Sequence, residues 1–208
     1  MYIWLPSFKE ETGNFRLGYL EAAGNKRVVK IFGYIFLISL MYHAIQQWLG
    51  VYFSTQLNIS QFYISMLITL TSLSGIFGEV WGGHLADEIG RLKVINLGIV
   101  SMVACVFLLL IKLPLSWLAV VMIVWGLGWT FNHVGLSTML TDLPPELLNE
   151  AASLNSGVRF ISGGLGASLG GLIMQKNFGL GFMVFGSGLL ILLLFSRWVS
   201  NKNIGGEI

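Results

Sequence analysis

Hydrophobic positions in this chain do not alternate with polar ones; they gather into long runs cut by brief polar breaks. A hydrocarbon core of roughly 30 Å needs about 20 apolar residues per helix, and six runs reach that length. They extend from Ile31 to Phe53, Phe62 to His84, Leu92 to Ile111, Leu115 to Leu140, Ala151 to Met174 and Phe178 to Val199. The breaks carry turn and helix-end residues: Asn58-Ile59-Ser60, Gly83 to Lys93, Lys112-Leu113-Pro114, Asp142-Leu143-Pro144-Pro145 and Lys176-Asn177. Links this short predict antiparallel neighbours. Residues 1–30 form a polar, mixed lead-in, 31–200 a six-helix bundle, and 201–208 a short tail.

Composition places that pattern in a membrane. Of 208 residues, 55% are hydrophobic and only 11% charged, and the mean hydropathy is +0.76, a balance that a water-soluble domain of this size does not solvate. The expectation is an all-α, multi-pass protein of a cell (inner or plasma) membrane, with the lipid bilayer as its surroundings. The start Met1-Tyr2-Ile3-Trp4-Leu5-Pro6 has neither a basic leader nor a small-residue cleavage site, so no signal peptide is expected. A net charge of +2 without a run of basic residues interleaved with aromatics gives no reason to expect nucleic acid as a partner. The single cysteine, Cys105, excludes an internal disulfide.

Basic residues flanking membrane helices stay on the cytoplasmic side. With the N-terminus inside, Lys9, Arg16, Lys26, Arg27, Lys30, Arg91, Lys93, Arg197 and Lys202 are cytoplasmic, and Lys112 and Lys176 are outside. Both termini are therefore expected in the cytoplasm. Laying the first three spans beside the last three exposes a weak repeat. The first member of each triplet carries amide and imidazole groups at depth, the second is glycine-rich with one ionisable residue, and the third is almost purely apolar. Three crossings reverse the direction of the chain, so the triplets form a 3+3 inverted repeat. Two spans of each triplet are expected to line a cavity and the third to face lipid.

The chemistry lies in the few polar groups within those spans. An ionised side chain at the bilayer centre costs about 2.5 to 3.5 kcal/mol on insertion scales, so it persists where a partner or water meets it. Glu79 and Arg159 qualify; Glu79 lies roughly 12 Å deeper than Asp87 at 1.5 Å per residue. A desolvated carboxyl there suits reversible protonation, and a Glu79–Arg159 pair fastening two spans is the structural alternative. His43, Gln46, Gln47 and Gly50 share one helical face that can hydrogen-bond a polar solute, flanked by Tyr42 and Trp48. Trp125, Trp129, Asn132, His133 and Leu136 form a second stripe. Each set serves equally well for contacts between helices.

Gly166-Ala167-Ser168-Leu169-Gly170 matches the Gly-x-Ser-x-Gly pattern of serine hydrolases, but a glycine-rich membrane helix supplies no strand-to-helix elbow. His43, His84 and His133 sit on separate segments without a second metal ligand at helical spacing. No phosphate loop or dinucleotide fingerprint is present. The chain is accordingly expected to be neither an enzyme nor a holder of metal or cofactor.

The segment from Gly83 to Lys93 resembles the signature loop of the major facilitator superfamily, Gly-x-Leu-Ala-Asp-Arg/Lys-x-Gly-Arg-x-Arg/Lys. Gly83, Leu85, Ala86, Asp87, Gly90, Arg91 and Lys93 match, and Glu88 departs from it. Asp142 to Glu150 followed by the glycine-rich fifth span echoes a later cytoplasmic link of the family. The resemblance implies the second half of a twelve-helix fold. It also implies a gate in which Asp87, Arg91 and Lys93 hold one conformation and release it during alternating access. The opening Trp4-Leu5-Pro6 looks like the end of the family's sixth helix, so a first half is expected to be missing: the chain is a truncated or split-gene product, or it joins a second six-helix half or a second copy. Gln46-Gln47-Trp48-Leu49-Gly50 is similar to the Gln-Gln-x-x-Gly of sugar porters, though Tyr52 replaces the expected asparagine. The late glycines look more like those of drug or metabolite efflux carriers.

The function expected is secondary transport of a small organic solute, coupled to protons. Its pathway residues are His43, Gln46, Gln47, Glu79, Trp129, Asn132, His133 and Arg159, and its gating residues are Gly83, Asp87, Gly90, Arg91 and Lys93. The alternative is a non-transporting membrane subunit or inactive remnant.

Overall fold

The computed structural model describes residues 24–143, 145 and 148–200. Seven helices follow in order: α1 (Lys26–Gln46), α2 (Leu49–Thr55), α3 (Gln61–Glu88), α4 (Arg91–Leu108), α5 (Leu115–Leu140), α6 (Leu148–Met174) and α7 (Phe178–Ser200). Six stretches are long and apolar enough to cross a membrane, α1 and α2 together making the first. The six crossings match the runs in the sequence.

The helix ends differ from those runs for a reason that hydropathy does not contain. Asn25 Oδ1 accepts hydrogen bonds from the backbone of Arg27 (3.0 Å) and Val28 (3.3 Å), which satisfies two of the amides that open a helix. The first helix therefore starts five residues before Ile31, through Lys26, Arg27 and Lys30. The segment Gly83 to Glu88 is likewise the last stretch of α3, and the turn falls at Ile89-Gly90. Gly90 caps α4 with φ of 92°, a left-handed conformation that side chains other than glycine's adopt at a cost.

A break in the first crossing is not foreshadowed by its apolar run. Trp48 N–H donates to the Ile45 carbonyl (3.0 Å), a three-residue bond that tightens the ladder between α1 and α2. The Trp48 indole donates across to the Ala167 carbonyl of α6 (2.9 Å). The break is thus anchored to a neighbouring helix.

Helix pairing carries the inverted repeat into three dimensions. Exchanging α1 with α5, α3 with α6 and α4 with α7 turns the pair α1–α6 into α5–α3, α4–α5 into α7–α1, and α3–α4 into α6–α7, while α4–α7 and α1–α5 map onto themselves. All of these pairs are in contact. The fold is therefore a six-helix, 3+3 inverted bundle. The first crossing is its centre: 61% of its most apolar window is buried, against 28% for α3 and for α6. The third members, α4 and α7, pack on each other.

Between apolar helices in lipid, close packing replaces the hydrophobic effect as the source of cohesion. Small residues provide it at each crossing. Gly166 and Gly170 of α6 lie against the backbone carbonyls of Leu40 and Ala44 of α1, and Gly126 of α5 against Thr71 and Ser74 of α3. A Cβ on Gly98 of α4 would fall 2.5 Å from the Gly128 carbonyl oxygen and 2.7 Å from the Asn132 nitrogen. Two buried tyrosine hydroxyls tie helix to helix, Tyr34 to the Leu192 carbonyl and Tyr52 to the Leu109 carbonyl, each at 2.8 Å. Cys105 is buried, its thiol 3.4 Å from the Val121 carbonyl.

Gly170→Val drives a branched side chain into the Ala44 backbone and is expected to cost about 3 kcal/mol or more. Gly164→Ala, facing open space, is expected to stay within about 0.5 kcal/mol. Unfolding of the purified variants in detergent, followed by helicity, measures both.

Candidate functional site

α1 and α5, the first members of the two triplets, meet through an aromatic stack. The Tyr42 ring lies between Trp125 (centroids 5.0 Å, planes 16° apart) and Trp129 (4.0 Å, 12°). Tyr42 and Trp125 are buried, and Trp129 is half-buried. Beyond Trp129 sit His133, stacked at 6.3 Å, and His43, edge-on at 5.5 Å. The Arg159 guanidinium from α6 lies 5.7 Å from the Trp129 ring centroid, within the reach of a cation–π contact. Trp129 thus joins three helices: the residues at 125, 129 and 133 share one face of α5, turned towards α1.

Hydrogen bonds fix what this cluster presents. Trp125 Nε1–H donates to Gln46 Oε1 at 2.6 Å, so the Gln46 amide keeps its NH2 group for another partner. His43 Nδ1 is 2.7 Å from the Ser39 carbonyl oxygen; an acceptor there requires the proton on Nδ1 and leaves Nε2 as the ring's open site. Arg159 Nε–H donates to Asn155 Oδ1 (3.0 Å).

A cavity of about 350 Å³ opens beside the stack, lined by Tyr42 and Gln46 of α1, Thr71, Ser72, Gly75 and Glu79 of α3, and Trp129, Thr130 and His133 of α5. Glu79 is exposed at its edge. A second groove of about 680 Å³ shares Gln46 and continues along the break in the first crossing, with Gln47, Ser54, Thr55, Gln61 and Ser65 on its walls. Its polar groups are amides and hydroxyls, without a charge. Aromatic faces with uncharged donors and acceptors suit stacking and hydrogen bonding to a polar organic molecule.

The sequence candidates are therefore distributed as follows. His43, Gln46, Trp129, His133 and Arg159 gather around one aromatic centre. Glu79 shares the cavity with Gln46, Trp129 and His133, and Gln47 lies exposed on the adjoining groove. Among the described residues Glu79 and Arg159 form no ion pair; the pair present is Arg91–Asp142. Asn132 stands apart. It is fully buried where α5 crosses α4 beside Gly98, and neither its Oδ1 nor its Nδ2 has a partner among the described residues. Residues that the sequence did not single out complete the site: Ser39 orients His43, Asn155 holds Arg159, and Thr71, Ser72 and Thr130 supply hydroxyls. Such residues are common in membrane helices, and only the neighbouring helix distinguishes them.

The loop motif lies at the end of the bundle where the first helix begins. Arg91 Nη1 meets Asp142 Oδ1 at 2.6 Å, and Arg27 Nη1 donates to the Asp142 carbonyl (3.3 Å). The end of α5 is thereby linked to the starts of α1 and α4, around a cavity of about 500 Å³ that Lys93 also lines. Asp87, Glu88 and Lys93 are exposed, Gly83 is partly exposed, and Gly90 forms the turn. Asp142, which the sequence marks as a helix end and as the start of the later cytoplasmic link, is the partner of the motif arginine.

Comparison with known proteins adds a family and named relatives. The family model described as Major Facilitator Superfamily matches residues 31–207. Proteins named probable sugar efflux transporter from Helicobacter pylori strains ATCC 700392 / 26695, G27 and J99 are each 28% identical over 152 residues, which cover 70% of this chain and 38% of theirs.

Two measurements test the geometry. A double-mutant cycle of Trp125→Phe and Gln46→Leu is expected to return a coupling of about 0.6 kcal/mol, the average for hydrogen bonds between membrane helices, and no more than about 1.7 kcal/mol. Asp142→Asn is expected to lower stability by less than about 1 kcal/mol, because both side chains of its ion pair are about a third exposed.

Proposed function

The chain belongs to the Major Facilitator Superfamily, and from that premise we propose that it carries a small organic solute across a membrane by alternating access, coupled to protons. The observation that supports this reading most is the convergence of Gln46, Glu79, Trp129 and His133 on one cavity between α1, α3 and α5. Those side chains come from both triplets of the inverted repeat, and the interface between repeats is where such folds place their substrate sites.

In this proposal His43, Gln46, Gln47, Trp129, His133 and Arg159 line the solute pathway, with Asn132 buried beside its wall. Glu79 takes up and releases the proton, because its carboxyl borders a cavity at helix depth. A hydroxylated, sugar-like solute moved outward agrees with the amide and hydroxyl walls of the adjoining groove and with the printed names of the Helicobacter relatives. The matched stretch is 38% of the length of those relatives, and the proposed transport unit pairs this bundle with a second six-helix half or a second copy. Gly83, Asp87, Gly90, Arg91 and Lys93 form the gate at the end that carries the Arg91–Asp142 pair. That end and both termini face the cytoplasm, as nine of the eleven assigned basic residues favour.

Reconstitution of the chain alone and together with a second six-helix unit, followed by proton-linked sugar flux, tests the proposal. Glu79→Gln is expected to reduce proton coupling at least about tenfold, the loss that follows when an obligatory proton carrier cannot ionise, with an unchanged melting temperature. Lower melting with intact coupling makes Glu79 structural. No flux in either preparation favours a non-transporting membrane subunit.

A further inference from the structure

Among the described residues the cation at the aromatic centre meets no counter-charge. Arg159 Nε is bound to Asn155, a neutral amide, and its Nη2 is buried without a hydrogen-bond partner among the described residues. Glu79 is the carboxylate on the adjoining cavity, and it makes no ion pair with Arg159. Among the described residues the ionisable rings packed on Trp129 are those of Tyr42, His43 and His133; the imidazoles supply no negative charge in either protonation state, and neither does the neutral phenol. A guanidinium withdrawn from water with one nitrogen unsatisfied is costly unless something meets it. Its planar fork matches an oxyanion better than a hydroxyl.

We propose that Arg159 is the subsite for an oxyanion on the transported molecule, a carboxylate or a phosphate, so that the favoured solute is a hydroxylated organic anion rather than a neutral sugar. The inference rests on the carrier reading above and deepens it. Arg159 takes the charged end of the solute, the Trp129 face and the open Nε2 of His43 meet its body, and the Gln46 amide and the groove beyond accept its hydroxyls.

The test uses the full chain in nanodiscs and its tryptophan emission, since Trp129 adjoins the subsite. The probes are glucose, gluconate and glucose 6-phosphate. Gluconate or glucose 6-phosphate is expected to bind about tenfold tighter than glucose, the usual return for a charge-assisted bidentate contact. The tighter of the two identifies the oxyanion. Arg159→Gln is expected to abolish that preference, bringing the anionic probes to within about twofold of glucose. Arg159→Lys, keeping the charge without the fork, retains a weakened preference, and unchanged helicity of both variants shows that they are folded. Equal binding of neutral and anionic probes overturns the oxyanion subsite and leaves the carrier reading standing. A preference that survives Arg159→Gln overturns it as well, because the anion is then held elsewhere. No saturable response to any of the three overturns both.

Discussion

Close backbone approach at glycine is the constraint on which this bundle depends. Apolar side chains gain nothing by leaving hydrocarbon for one another, so helices in a membrane adhere through fit. Gly166 and Gly170 let α6 settle onto the carbonyls of Leu40 and Ala44, and Gly126 does the same for α5 against α3. Those two pairs, α1–α6 and α3–α5, exchange under the inverted repeat. The same contact made twice in opposite directions sets the distance between the triplets, and that distance decides which polar side chains meet.

The site follows from this spacing. With α1 and α6 in contact, the Trp48 indole reaches the Ala167 carbonyl, and the first crossing breaks just past Gln46. With α1 beside α5, Tyr42 enters between Trp125 and Trp129, and Gln46 lies on the cavity beside them. The polar groups are therefore held by rigid aromatic packing rather than by loops. Donors and acceptors held this way are already ordered before any ligand arrives.

Much of the fold was legible because the bilayer imposes its length on the sequence. Six runs became six crossings, and the depth at which amides, charges and glycines recur disclosed the repeat. For the candidate site, the sequence disclosed most of the polar side chains that the fold gathers but not their directions. Asn132 shares a stripe with Trp125, yet it packs against α4, because the angle at which α5 crosses α4 is set by Gly98 and Gly128, residues on two different helices. Glu79 and Arg159 have complementary charges, but their helices do not bring them together. Asp142 stood out as the start of a cytoplasmic link, but its partner Arg91 came into view only when the fold set the two side by side. Hydropathy also missed the start of α1, since a cap is a hydrogen bond and Asn25 is not apolar. A single chain records depth and period well, whereas azimuth belongs to pairs of helices.

One modest feature of the interior opens the molecule to chemistry from outside. Cys105 is the single thiol in the chain; it is enclosed between α4 and α5 with its sulfur against the Val121 carbonyl. Maleimides and methanethiosulfonates react with exposed thiolates, not with a sulfhydryl sealed among packed side chains. This chain is thus expected to be silent to such reagents, and a cysteine engineered at a surface position of it then becomes a unique attachment point for a spin label or fluorophore.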